Sequence, residues 1–136
     1  MYAKLYAQIV GVVLILLGIV GFFIGDYFWT GGLNSHIIED VIHLVVGLAL
    51  AYVGFMAADA AMVRMVVGVI GIVLLLVAIL GFIDPTLFGI LSTAPYTTTD
   101  NIVHLILGLA GVAVAYLVPA PAGTSPTSTP PTSSTT

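Results

Sequence analysis

Two histidines occupy equivalent positions in two similar stretches of the sequence. His43 lies in VIHLVVGLA, residues 41–49, and His104 lies in IVHLILGLA, residues 102–110, sixty-one positions later. An imidazole in an apolar stretch can ligate a haem or chlorophyll-type macrocycle, hold a metal ion or carry a proton. It can also act only as a hydrogen-bonding group that ties helices together. The repetition makes these two side chains the first candidates for chemistry.

Each histidine has the same kinds of neighbour at helical spacing. Asp40 precedes His43 by three residues, and Asn101 precedes His104 by three, so each is placed to orient an imidazole nitrogen. A glycine follows each histidine by four residues, one turn along the same helix face, which predicts a flat slot beside the ring. These two glycines are Gly47 and Gly108.

The first copy also offers a face with metal-binding residue types. His36, Glu39, Asp40 and His43 stand at positions i, i+3, i+4 and i+7, a pattern that suits zinc or a similar ion. The second copy does not repeat this ligand set, because Thr97 replaces the first histidine. Acidic residues in the first turn of a helix are also explained by the helix dipole alone.

The rest of the repeat defines the elements that position the histidines. The stretch GVVLILLGIVGF, residues 11–22, matches GIVLLLVAILGF, residues 71–82, sixty positions later. The offset grows by one residue between the two matched stretches, as an insertion in the connecting loop would produce. A repeat at a fixed period fixes the architecture. It predicts two tandem hairpins, residues 5–58 and 65–118.

The composition indicates a membrane protein. Hydrophobic residues make up 60% of the chain and charged residues 6%, and the mean hydropathy is +1.25. Soluble domains carry about 25% charged residues. Four apolar stretches, roughly 5–25, 41–58, 65–83 and 102–118, approach the length of about 20 residues that crosses a bilayer as a helix. The sequence therefore predicts an all-α integral membrane four-helix bundle over residues 1–118.

Charge and composition also predict the orientation and the tail. Lys4 and Arg64 fall on one side of a four-span topology, and most acidic residues fall on the other. The positive-inside rule then puts both termini in the cytoplasm. Residues 119–136 form a Pro/Thr/Ser-rich tract that cannot build a core, so we expect a disordered tail. Such a composition is also common in secreted O-glycosylated stalks, which would place the C-terminus on the opposite side of the membrane.

Several local signals mark helix ends and helix contacts. Thr97 and Asp100 form a pattern typical of a capping box, and Asn34 or Ser35 is placed to cap the second helix. Aromatic residues near these ends are typical of an interfacial belt. They are Tyr27, Phe28, Trp29 and Tyr96. Stripes of glycine and alanine on the helices predict close packing in a compact bundle.

The sequence argues against several function classes. The chain has no cysteine, which excludes disulfides and thiol catalysis, and only two basic residues, which excludes a nucleic-acid footprint. It shows no Ser/His/Asp arrangement, no phosphate-binding loop and no paired ExxH motif. No span has a charged residue near its centre, as a transporter more often would. We therefore expect a protein without catalytic activity of its own.

The repeated signature N/D-x-x-H-L-x-x-G-L resembles that of a known family. It covers Asp40–Leu48 and Asn101–Leu109, and the pattern G-V-x-L-x-L-L-G-x-x-G-F of residues 11–22 also fits. The family is a group of small bacterial four-helix membrane proteins catalogued as domain of unknown function 4383. The resemblance spans about residues 5–118. It implies the fold and a bacterial cytoplasmic membrane, and it brings no activity.

Two functional hypotheses follow from the sequence. The leading one is a small scaffold or accessory subunit of a larger membrane assembly, because the chain is short and its helices carry small-residue faces. Its expected partners are the lipid bilayer and either other membrane subunits or further copies of the chain. The alternative is a module that binds a haem or chlorophyll-type cofactor through His43 and His104.

Overall fold

The described part of the protein, in a computed structural model, consists of residues 2–24, 37–90 and 97–119. Within these ranges the chain forms four helices and no strand. All four are long and apolar enough to cross a membrane, judged by length and composition. They are α1 (Tyr2–Ile24), α2 (Ile37–Phe55), α3 (Ala60–Ile83) and α4 (Thr98–Val112), and α4 continues into a π-helical turn (Ala113–Leu117).

All four helices begin three to five residues before the apolar stretches predicted from the sequence. They begin at Tyr2, Ile37, Ala60 and Thr98. Hydropathy alone misses polar first turns, although a helix N-terminus stabilises acidic side chains. The start of α3 is set by Asp59, whose Oδ1 accepts a hydrogen bond from the backbone N–H of Ala61 at 2.9 Å.

The predicted capping box of α4 is confirmed. The Thr97 hydroxyl accepts a hydrogen bond from the backbone N–H of Asp100, and the Asp100 carboxylate accepts one from the backbone N–H of Thr97 at 2.8 Å. These two bonds satisfy N–H groups that have no partner inside the helix. The predicted caps Asn34 and Ser35, the aromatic residues Tyr27, Phe28, Trp29 and Tyr96, and the tail from residue 120 lie outside the described residues.

The glycines bring the two helices of each hairpin into backbone contact. A Cβ atom added to Gly11 would lie 2.6 Å from the backbone nitrogen of Ala51 in α2. A Cβ atom added to Gly71 would lie 2.9 Å from the backbone nitrogen of Val112 in α4. Because neither gap admits a methyl group, only glycine allows this close approach. The two contacts stand at equivalent positions of the two hairpins.

The interface between the hairpins α1–α2 and α3–α4 is far smaller than the interface between the two helices within each hairpin. The buried core belongs to one end of the molecule, where α1 and α3 begin and where α2 and α4 end. We call this end the closed half, and the end where α2 and α4 begin the open half. The core residues are Ala3, Tyr6, Ala7, Val10, Leu14, Leu50, Val53, Val63, Val67 and Ala115.

A tyrosine joins the two hairpins between the closed and the open half. The Tyr6 hydroxyl in α1 donates a hydrogen bond to the backbone carbonyl of Leu107 in α4, at 2.8 Å. Gly111, one turn further along α4, lies against the same tyrosine side chain. This contact holds α4 against α1 where the hairpins begin to separate.

Candidate functional site

In the open half, the two hairpins are separated by a cleft of about 620 Å³. This volume lies within the range of about 300–1,000 Å³ that is typical of small-molecule sites. Most of its wall is aliphatic and comes from the facing sides of α1 and α3. These wall residues are Val10, Val13, Leu14 and Leu17 of α1 and Ile70, Val73, Leu74 and Val77 of α3. Val10 and Leu14 also belong to the buried core, so they mark the border between the closed and the open half.

The cleft lies between equivalent faces of the two hairpins. Each of the α1 wall residues just named has its counterpart in α3 sixty positions later. The same holds between α2 and α4 with an offset of sixty-one, where positions 39, 42, 43 and 46 correspond to 100, 103, 104 and 107. The lining is therefore close to twofold symmetric.

One end of the cleft is polar, and it contains both candidate histidines. His43 and His104 line it together with Glu39, Asp40 and Asp100. The histidines are half-buried, whereas Glu39 is 3% and Asp100 is 6% exposed. The structure thus brings the two predicted site residues into one cavity, and it adds two carboxylates that the sequence had indicated only as helix-cap or metal-face residues.

Electrostatic interactions connect the polar groups across the two hairpins. Glu39 of α2 interacts with Asp100 of α4, and His43 interacts with both Asp100 and His104. In a low-dielectric interior such interactions are much stronger than in water. The polar end therefore joins titratable side chains of both hairpins.

The basic side chains of the protein lie at the opposite end. Lys4 and Arg64 are its only lysine and arginine, and both line a smaller pocket of about 120 Å³ in the closed half. They too stand at equivalent positions, sixty residues apart. Apart from the imidazoles, the chain has no cationic side chain that lines the cleft.

The prediction of a flat slot beside each histidine is wrong. A Cβ atom added to Gly47 would lie 2.8 Å from the backbone nitrogen of Ile15, and one added to Gly108 would lie 2.8 Å from the backbone nitrogen of Leu75. Both glycines therefore face the other helix of their own hairpin, which fills the space. Spacing by four residues places a histidine and a glycine on the same side of one helix. It does not specify which neighbouring helix packs against that side.

The two side chains expected to orient the imidazoles, Asp40 and Asn101, pack against glycines of the neighbouring helix. Asp40 lies directly over Gly21 of α1, and Asn101 lies directly over Gly81 of α3. The side-chain oxygen of Asn101 is buried and has no hydrogen-bond partner among the described residues. It therefore does not orient His104 as the sequence had suggested.

The described residues do not support the predicted metal face. Among residues 2–24, 37–90 and 97–119, no three His, Cys, Asp or Glu side chains are close enough to hold a metal ion. Glu39, Asp40 and His43 are described and form no such group, and His36 lies outside the described residues.

A strained turn after α3 contributes to the polar end of the cleft. Leu87 and Phe88 adopt positive φ angles of 48° and 58°, and Gly89 adopts 90°. Such angles are uncommon for residues other than glycine. Leu87 and Ile90 of this turn line the cleft, so the turn covers part of its end.

Asp84 stabilises this turn from its first position. Its carboxylate accepts hydrogen bonds from the Thr86 hydroxyl at 2.7 Å and from the backbone N–H groups of Thr86 and Phe88, at 2.9 Å and 3.2 Å. These bonds favour the ionised carboxylate, and they hold the pKa of Asp84 below its ordinary value.

Comparison of the chain with protein-family models, with curated protein sequences and with solved structures finds no match. The function proposed below is therefore supported by the geometry of this chain alone.

Proposed function

We propose that the protein is a non-catalytic integral membrane protein built from two tandem copies of one transmembrane hairpin. We further propose that it binds a lipid-like molecule in the cleft between the copies. Its location would be the bacterial cytoplasmic membrane, with Lys4 and Arg64 on the cytoplasmic side according to the positive-inside rule. The closed half would then face the cytoplasm, and the polar end of the cleft would face the other surface.

The outer surface of the bundle supports insertion in a bilayer. Large aliphatic and aromatic side chains on all four helices point away from the molecule, and several are more than half exposed. Monomeric soluble proteins rarely expose contiguous apolar patches of this extent. Lipid tails are the solvent in which such a surface is stable.

The equivalent contacts of the two hairpins support the tandem repeat. Gly11 and Gly71 contact the partner helix in the same way, and so do Gly47 and Gly108. The two sets are related by the offsets of sixty and sixty-one that relate the sequences. Two copies of one hairpin would produce this pattern.

The cleft is the single observation that carries the binding function. Interiors of proteins are packed without large voids, so a gap of about 620 Å³ between apolar walls needs an occupant. Along α1 the lining runs from Ile9 to Gly21, twelve residues or about 18 Å at 1.5 Å per residue. One leaflet of hydrocarbon is about 15 Å thick, half of the bilayer core. The cleft thus matches an amphiphile that lies in one leaflet.

One of the reasons for the accessory-subunit hypothesis is weakened by the packing of the hairpins. The small-residue faces that suggested docking of partner helices are used inside the chain, where Gly11, Gly47 and Gly108 contact the other helix of their own hairpin. The remaining outer face consists of larger side chains, which suits lipid as well as another subunit.

A chlorophyll-type macrocycle is the second candidate occupant, because His43 and His104 line the same cavity. Haem fits less well. Its propionates are anionic, and the polar end already carries the carboxylates of Glu39, Asp40 and Asp100. An absorption spectrum of the purified protein separates a pigment from a colourless amphiphile.

The binding function is tested by filling the cleft. Val13 and Val73 are equivalent wall residues that are 48% and 51% exposed, so tryptophan can enter the cleft at both positions without displacing the core. Leu16 and Leu76 are a matched pair, 56% and 54% exposed, that does not line the cleft. We expect the V13W/V73W protein to retain much less co-purified amphiphile after detergent exchange than either the original chain or the L16W/L76W protein. Equal retention in all three would refute the proposal.

A further inference from the structure

We infer that the closed half binds the phosphodiester head of an anionic phospholipid in the small pocket between Lys4 of α1 and Arg64 of α3. The acyl chains of this lipid lie against the outer surface of the bundle. The site is at the end of the molecule opposite to the cleft, so it does not depend on what occupies the cleft.

The pocket receives one cation from each hairpin. Lys4 is the third residue of α1 and Arg64 is the fifth residue of α3, and both line the pocket. They are the only lysine and arginine of the chain, and they are related by the offset of sixty that relates α1 to α3. Two cations beside one pocket repel each other, and an anion between them replaces this repulsion with attraction.

The acidic residues of the chain lie elsewhere. Of the described residues that line the pocket, none is acidic. Asp59 is close to it in sequence, but its carboxylate accepts a hydrogen bond from the backbone N–H of Ala61 at 2.9 Å and caps α3. The other acidic residues come after the far ends of α1 and α3 or in the first turns of α2 and α4, and residues 120–136 contain no Asp or Glu. An anion from outside the chain is therefore the complement that this pocket favours.

The depth of the two cations matches the level of lipid phosphates. The 23 residues of α1 span about 34 Å at 1.5 Å per residue, slightly more than the hydrocarbon core of about 30 Å. Lys4 and Arg64 lie in the first two turns of their helices, and side chains on a helix lean toward its N-terminus. Long basic side chains near a helix end extend to the membrane interface, where phosphates lie.

The size and the walls of the pocket favour one group of a larger, partly apolar ligand. Its volume of about 120 Å³ is well below the range of about 300–1,000 Å³ that is typical of sites for whole small molecules. Alanine and valine side chains from both hairpins form much of the remaining wall, among them Ala57, Val63 and Val114. Met56 and Leu117 are next to wall residues in sequence and are largely exposed, so they provide apolar surface for acyl chains. A free inorganic anion gains nothing from such surroundings.

The two kinds of cation suit a phosphodiester. Its single negative charge is shared by two oxygens, to which a guanidinium donates paired hydrogen bonds and an ammonium acts as a point charge. A zwitterionic head would bring its own amine or quaternary ammonium close to Lys4 and Arg64, and this like-charge contact is unfavourable. Basic pockets between transmembrane helices bind anionic lipid heads in this way. The pocket therefore favours a phospholipid whose head has a net negative charge, such as phosphatidylglycerol.

The test compares four lipids with the same acyl chains: phosphatidylglycerol, phosphatidylethanolamine, phosphatidylcholine and diacylglycerol. Each is added to the full-length chain in detergent, and native mass spectrometry measures the fraction of protein with lipid bound. We expect phosphatidylglycerol to bind several-fold more tightly than the other three. Equal binding of a zwitterionic lipid or of diacylglycerol would overturn the assignment of the head group. Inorganic phosphate at the same concentration should not displace phosphatidylglycerol; displacement would assign the pocket to a free anion and overturn the lipid.

Substitutions locate the site. The K4Q/R64Q protein should bind phosphatidylglycerol about tenfold more weakly, whereas the K4R/R64K protein, which keeps both charges, should retain most of the preference. An unchanged preference in K4Q/R64Q would overturn the site. Should that protein fail to fold, Lys4→Gln alone serves instead, because Lys4 is exposed; it should weaken binding several-fold, and no change would refute its role.

A third protein separates this pocket from the cleft. The V13W/V73W protein should keep the preference for phosphatidylglycerol, because both substitutions lie on the cleft wall and neither residue lines the pocket. A preference that V13W/V73W abolishes and K4Q/R64Q preserves would place the anionic lipid in the cleft and refute the site between Lys4 and Arg64.

Discussion

The closed and open halves of the bundle are made by the same four helices, and yet the two hairpins pack against each other in only one of them. In the closed half, small side chains such as Ala3, Ala7 and Ala115 are buried between helices, and a continuous core joins the hairpins. In the open half, the facing residues of α1 and α3 are larger and aliphatic, and they border a cleft that ends in carboxylates. Small residues favour the close approach of helices in lipid, and Ala3, Ala7 and Ala115 provide them in the closed half.

The symmetry of the two hairpins differs between the halves as well. Around the cleft, wall residues occur in equivalent pairs. In the closed half the pairs differ: Gln8 of α1 donates a hydrogen bond to the carbonyl of Gly54 at 2.8 Å, whereas its counterpart Gly68 in α3 contacts Tyr116. The near-symmetric part of the molecule is the part that forms the candidate site, and the asymmetric part supports it.

The largest effect is expected from enlarging a side chain in the closed half. Ala7 is fully buried, so Ala7→Leu would overpack the core and lower the free energy of unfolding by about 2–3 kcal/mol. The matched enlargement Val13→Leu extends into the cleft and should change it by less than about 0.5 kcal/mol. Thermal unfolding of both proteins in the same detergent, followed by circular dichroism, checks this difference. Equal destabilisation would mean that the two halves are packed alike.

A smaller effect is expected from loosening the junction between the halves. Tyr6→Phe removes the hydrogen bond to the Leu107 carbonyl and should lower the free energy of unfolding by about 1 kcal/mol. Tyr52→Phe is the control, because Tyr52 is 60% exposed. Unfolding curves recorded side by side measure the difference. If Tyr6→Phe left the free energy of unfolding unchanged, this hydrogen bond would not contribute to joining the hairpins.

The two histidines test whether the polar end works as a symmetric unit. If they are structural, His43→Gln and His104→Gln should each lower the free energy of unfolding by about 1 kcal/mol and change no absorption band, because glutamine keeps a hydrogen-bonding group. Unfolding curves and visible spectra of both variants provide the measurement. Loss of a Soret-type or chlorophyll-type band in either variant would favour the macrocycle instead.

The smallest effect concerns the turn that covers the polar end. The lowered pKa of Asp84 means that its ionised form is favoured in the folded protein. Its contribution is present above the unfolded-state pKa of about 3.9 and is lost as the pH falls through the lower folded-state pKa. Protection of the Phe88 amide from hydrogen exchange should therefore decrease on acidification. The Asp84→Asn protein should show the weak protection already at neutral pH; strong protection there would contradict this role.

The helices and the pairing of the histidines were predictable, and the cleft was not. Apolar runs and a repeat at offsets sixty and sixty-one were enough to place four helices and to bring His43 and His104 to one end. Residues 10, 13, 14 and 17 follow the spacing of any buried helix face, so their sequence cannot distinguish a packed core from a cleft wall. The distinction depends on the distance between the hairpins, which is a property of the tertiary structure and not of one helix.

Glu39 and Asp100 illustrate the same limit. Their position in a first helical turn is explained by capping, and the Asp100 carboxylate does cap α4. The tertiary structure also brings these two side chains, one from each hairpin, to the same end of the cleft. No local sequence pattern indicates this arrangement.

The central claim is that an occupied cleft separates the hairpins in the open half. An experimental density map of the full chain in a lipid nanodisc, obtained with a bound antibody fragment to add mass, tests it most directly. We expect a continuous, elongated density between α1 and α3 that begins beside His43 and His104 and extends along Val13 and Val73. A map in which the Val13 and Val73 side chains are in direct contact, with the hairpins packed together along their whole length, would contradict it.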